Sequence, residues 1–201
     1  MPSEYYAPRH TVVGGGMDFA NVTLDTSSLE RAGIMIAKAP DIIKRAVSLA
    51  IDRSLQSYAT ESVRQSAKRY FVKQKDVRQT LTLKKSYGGK MNGAVVSTGT
   101  RRELTEYAIS PKRPPVKPGT FHGAVLRAGG LKPIPLAFLT RHNTAVIRDH
   151  FNGASRLRVL MSPSIPQILT NRETIAASTE KAQETFERRL QHELKRAGMM
   201  L

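Results

Sequence analysis

The longest periodic stretch of the chain starts near Asp41 and runs to about Tyr70. Ile43, Val47, Ala50, Ser54, Tyr58, Ser62, Ala67 and Tyr70 recur every three to five residues, joined by Ile51, Leu55 and Val63. That spacing places one buried face along a helix. Lys44, Arg45, Arg53, Arg64 and Lys68 fall on the other face. Pro40 and Asp41 mark the start, because Pro suits the first helical turn and an early carboxylate suits the helix dipole. A short helix is expected before it, opening at Ser27 with Glu30 in capping-box spacing and Leu29, Ala32, Ile36 and Ala37 behind. Another brief one is expected at 76–81.

The pattern then shortens to a period of two. LTLKKSY (81–87), GAVVST (93–98), ELTEYAIS (103–110), FHGAVLR (121–127), PLAFLT (135–140), TAVIRDHF (144–151) and SRLRVLM (155–161) read as strands, with Gly and Pro between them. Beyond Pro166 the 3.6-residue period returns. Asn171 is placed to cap a helix whose stripe is Ile175, Thr179, Ala182, Phe186, Leu190, Leu194 and Ala197, stopped by Gly198. The order predicts an α+β fold: a small, mainly antiparallel sheet packed with a long N-terminal helix and a C-terminal helix. Residues 1–26, with Pro2, Pro8 and Gly14-Gly15-Gly16, are expected to form a flexible extended arm without helix or strand, and 27–201 a single domain.

Composition narrows the function. No apolar run approaches the roughly 18 residues of a membrane helix, so no membrane partner is expected. The first residues lack the pattern of a secretory signal, which points to synthesis in a cytosol-like compartment. There is no cysteine, so disulfides, thiolate metal sites and thiol nucleophiles drop out. Lys+Arg total 32 against 16 Asp+Glu, a formal charge of +16 that favours polyanionic or acidic partners. Residues 61–120 hold 14 basic and four acidic side chains, whereas the stretch from 164 is nearly balanced.

Catalytic patterns do not emerge. His10, His122, His142, His150 and His192 lack the spacing of a helical metal pair. His142, Asp149 and His150 are near in sequence but read as turn and strand-edge residues. Glu103 and Glu106 are the one close carboxylate pair in the strand region, and an exposed strand face explains them. YGGKMNG (87–93) has Met where a phosphate loop needs Ser or Thr, and reads as a hairpin turn. Neither catalytic residues, metal nor cofactor are therefore expected, and the chain reads as a non-enzyme.

Two basic sets are candidates for contact with a partner or DNA. Lys112, Arg113 and Lys117 lie in the proline-rich loop PKRPPVKPG (111–119), which holds them semi-rigidly; a solvated crossover loop would look the same. Lys84, Lys85, Lys90, Arg101 and Arg102 lie on strand edges and turns, where lysines also serve to block sheet-to-sheet aggregation. The apolar end Met199-Met200-Leu201 is a candidate assembly interface. No aromatic platform or recognition helix accompanies the charge, so any nucleic-acid contact would be sequence-independent. A free, sequence-independent DNA-binding protein is the alternative to an assembly protein.

The motif order adds a resemblance. Lys75-Asp76-Val77-Arg78 follows the long helix, Ala137-Phe138 sits in a late strand, and Ser162-Pro163-Ser164-Ile165-Pro166-Gln167 leads into the last helix. Over roughly residues 30–200 this resembles the minor tail protein Z, or tail completion, family of tailed phages and prophages. Ser162 departs from the glycine common there, and residues 1–26 have no counterpart. The resemblance implies a structural virion protein at the head-proximal end of the tail that supports head–tail joining. It implies a homo-oligomeric ring, a hexamer by preference, beside the tail terminator and joining proteins, with DNA passing through the lumen.

Overall fold

The computed structural model describes residues 18–22, 41–86, 91–115, 119–151 and 154–196. The long helix is α1 (Asp41–Arg69), with Asp41 in its first turn and Lys68 and Arg69 in its last, both favourable to the dipole. It is followed by α2 (Gln74–Thr80), whose Val77 is fully buried. The α+β arrangement of strands between two long helices is as the sequence pattern indicates. The helix expected at Ser27, together with Lys90, Lys117 and Met199–Leu201, lies outside the described residues.

The strands form four small antiparallel sheets rather than one. The first has the order β1 (Asp18–Val22), β3 (Ala94–Gly99), β2 (Leu81–Lys84). The other strands are β4 (Arg102–Glu103), β5 (Ala108–Ser110), β6 (His122–Ala124), β7 (Lys132–Pro133), β8 (Ala137–Leu139), β9 (Ala145–Phe151), β10 (Ala154–Val159) and β11 (Met161–Ser162). They pair as β11–β4, β5–β6–β7 and β10–β9–β8. Strands of two to seven residues are too short to span one continuous sheet, and each Pro or Gly break redirects the chain.

Two strand expectations change. Residues 103–110 are not one strand, because a 3-10 turn at Leu104–Glu106 interrupts them. Residues three apart eclipse in such a turn, so Leu104 and Tyr107 both reach the core. Residues 1–26 are not wholly without structure, because Asp18–Val22 pairs with β3 in the register Asp18↔Gly99 to Val22↔Val95. The free edge of β3 supplies unpaired backbone groups that a passing segment satisfies.

Two cores result. One gathers Val63, Val77, Leu104, Phe121, Ile165 and Ile168 between the end of α1 and the later strands. The other places Val47, Ile51, Leu55 and Tyr58 of α1 against Val95 and Ala182. Here Gly93 is required: a Cβ would lie 2.4 Å from Leu55 Cδ1 and 3.0 Å from the Lys84 carbonyl oxygen. The segment 162–167 is a helix start. Ser164 Oγ accepts from the Gln167 amide (3.3 Å) while Gln167 Oε1 accepts from the Ser164 amide (3.1 Å), a full capping box opening α3 (Ile165–Leu169). Tyr107 locks this segment by donating to the Pro163 carbonyl at 2.7 Å.

The last helix, α4 (Arg172–Arg196), begins where Asn171 Oδ1 accepts from the Glu173 amide at 3.1 Å. It runs antiparallel to α1, since Arg69 bonds Asn171, Ser62 bonds Ser178 and Ser57 bonds Thr185. The stripe buried most deeply is not the apolar one. Thr174, Ser178, Ala182 and Thr185 are buried, while Ile175, Phe186, Leu190 and Leu194 are half-buried. Small side chains on both helices, including Ala50, Ser54 and Ser62 of α1, let the backbones approach, and hydroxyls satisfy one another across the seam. The apolar residues pack to the side, Phe186 and Leu190 against the second core.

Candidate assembly and contact surfaces

Three mid-chain arginines, Arg69, Arg102 and Arg127, are engaged within the molecule. Arg102 is half-buried, its Nη2 3.2 Å from Asp76 Oδ2, and its Nε donates to Glu106 Oε2 at 2.6 Å. Burial disfavours its charge, but Glu106 and Asp76 outweigh that and raise its pKa above the ordinary value. Arg102 therefore joins α2 to the 3-10 turn. Arg127 donates from Nε to the carbonyls of Ala67 (2.9 Å) and Tyr70 (3.1 Å), and its guanidinium stacks 4.7 Å from the Phe71 ring centroid. It thus satisfies carbonyls that the end of α1 leaves open. Arg69 similarly holds Asn171 and Glu173 at the start of α4.

The remaining candidates are exposed but not gathered. Lys84 ends β2 and Lys85 follows it, both exposed. Arg101 is exposed immediately before β4, and Lys112 and Arg113 are exposed in the loop after β5. These positions belong to three different sheets.

A surface missed by counting charges lies on the helical pair. On α1, Arg45, Arg53, Arg64 and Lys68 are all exposed along the outer face. On α4, Glu173, Glu180, Glu184 and Glu187 are exposed on one arc, opposite the Thr174–Ser178–Ala182–Thr185 seam. The near balance of charge in this part of the sequence conceals a separation by face. Helical periodicity applied to charge, not only to apolar residues, is the signal that reveals it. Glu184 is exposed and paired with Lys181 at 2.6 Å, which lowers its pKa, with Arg188 adding slightly.

Between the helices run shallow clefts. Arg53, Thr185, Arg188, Arg189 and His192 line one, and Ile42, Arg45, Ala46, Leu49, Glu193 and Arg196 another. Glu193 is buried there and pairs with Arg189 at 2.6 Å. Among the described residues no group of three or more His, Asp or Glu could hold a metal ion, and no helix is long and apolar enough to cross a membrane.

Fold and surfaces together define a basic α+β protein whose distinctive chemistry is exposed charge segregated on two helices. The family model described as Prophage minor tail protein Z (GPZ) matches residues 39–200, and the chain belongs to that family. It is a structural protein of the phage tail. No curated protein and no solved structure matches the chain.

Proposed function

We propose that this chain is a non-enzymatic tail-completion subunit. It forms a ring, a hexamer by preference, at the head-proximal end of the tail, meets the tail terminator and head–tail joining proteins, and lets DNA pass through its lumen. The family match over residues 39–200 carries this reading. The exposed charge on α1 and α4 supports it, because a subunit between unlike neighbours needs charged surfaces of both signs to select them.

The test is a phage in which this chain is not made. Electron microscopy of the lysate should show filled heads and separate tails, with joining restored by adding the purified chain. Normal joined particles without it would refute the proposal. Retention on duplex DNA tests the alternative of a free DNA-binding protein. A subunit built mainly for assembly binds duplex weakly, whereas a binder contacting several phosphates loses roughly 10³-fold in affinity or more between low and moderate salt.

A further inference from the structure

The charged faces of α1 and α4 differ in sign. On α4 the glutamate arc lies opposite the side that packs on α1. On α1 the arginine and lysine face lies away from Ile51 and Leu55, which enter the second core, and from Ser62, which meets α4, with Arg53 also bordering the cleft to α4 beside Arg188. The two stripes are therefore separate exposed surfaces. Glu173 and Arg64 are each 74% exposed. Some charge is matched locally, by Arg69 at Glu173, by Lys181 and Arg188 at Glu184, and by Glu61 at Arg64. Solvent-exposed pairs of that kind contribute little and exchange readily. Glu180, Glu187, Arg45 and Lys68 have no ion pair among the described residues.

We propose that these flanks are the two halves of one interface between copies of this chain, the acidic ridge of α4 on one subunit lying along the basic face of α1 on the next. The inference rests on the self-assembly reading above and names its contact surface. Glu173 to Glu187 spans about 21 Å of helix, and Arg45 to Lys68 is longer, so the whole ridge finds positive charge opposite it. The surfaces differ, so the contact is heterologous and leaves each subunit one free flank of each sign. That arrangement propagates and closes into a ring when the rotation allows. A duplex on α1 would satisfy only the basic face and leave the glutamate ridge without a partner, which is why a second copy fits better.

Sedimentation velocity of the purified full chain across concentration and salt tests this. The wild type should assemble and weaken as salt rises. Glu180→Lys/Glu187→Lys and Arg53→Glu/Arg64→Glu should each raise the apparent dissociation constant by about tenfold or more, since every 1.4 kcal/mol of lost interaction is tenfold. Mixing the two variants should restore assembly, because each reversed flank then faces one of opposite sign. The milder Glu180→Gln/Glu187→Gln should fall between, and circular dichroism should show every variant folded. Variants that assemble like the wild type, or mixtures that fail to recover, overturn this interface while leaving self-assembly intact. An arginine-reversal variant that assembles normally but loses retention on duplex assigns the basic face to DNA instead. A wild type that stays monomeric even at low salt overturns both this interface and the self-assembly reading.

Discussion

The hydroxyl seam between α1 and α4 makes a prediction that an apolar seam would not. Ser62 Oγ donates to Ser178 Oγ at 3.0 Å, and the two residues are 2% and 0% exposed. Removing one hydroxyl strands the other in a dry environment, at about 1–3 kcal/mol, partly relieved if it rotates onto a helix carbonyl. Ala is the better helix former by roughly 0.5 kcal/mol, which offsets part of that loss. Ser178→Ala should therefore destabilise by about 1 kcal/mol, or about 2–4 °C in Tm for a chain of this size. Ser62→Ala should cost a similar amount. The double variant should lie within roughly 0.5 kcal/mol of wild type, because both polar groups leave together and both sites gain propensity. Urea unfolding at dilute, monomeric concentration measures the cycle, and the expected coupling is about 2 kcal/mol in favour of the pair. Two singles that simply add would show that the seam is held by packing alone.

Three further outcomes follow from particular contacts. Gly93→Ala should destabilise by about 1–3 kcal/mol, because the new Cβ collides with buried Leu55 and the Lys84 carbonyl is fixed backbone; unfolding within 0.5 kcal/mol of wild type would contradict this. Ser162→Ala should be neutral or stabilise by up to about 1 kcal/mol, since its buried Oγ has no partner, whereas Ser164→Ala should cost about 1 kcal/mol by removing a cap; thermal melts compare the two directly. Tyr107 is 8% exposed, and burial pushes its pKa up to about 12, against Arg102 which lowers it. Because the folded pKa exceeds the unfolded one, this stabilisation is complete below about pH 10 and is lost as pH rises through about 12, on the order of 2 kcal/mol. Tyr107→Phe should remove that part of the alkaline loss, as read from urea midpoints at pH 8 and pH 11.

Periodicity made the helices legible. Asp41 begins α1 where Pro40-Asp41 indicates, and Asn171 caps α4. Strand positions were visible as well, but not their division into four sheets, because pairing is a long-range choice that alternation within one segment does not encode. Ser178 and Thr185 were hidden for another reason: polar residues are ordinarily assigned outward, and only the matching Ser62 and Ser57 on α1 make their burial favourable. The charge count located basic residues without saying which were engaged. Lys84, Lys85, Arg101, Lys112 and Arg113 remain exposed, while Arg102 has its partners at Asp76 and Glu106, far away or easily overlooked in sequence.

The pairing of α1 with α4 also sets an order in time. Ser62 and Ser178 stand 116 residues apart, and Ser57 and Thr185 stand 128 apart, so the first long helix emerges from the ribosome well before its partner exists. At ordinary synthesis rates the interval is on the order of ten seconds. An apolar seam left uncovered that long would invite aggregation. A face of Ala50, Ser54, Ser62 and Ser66 tolerates water while it waits, and the bonds of Ser62 and Ser57 to α4 form only when that helix arrives. The acidic flank of α4 arrives with them, so a half-made chain carries the basic half of the proposed interface and lacks the half that would let it grow.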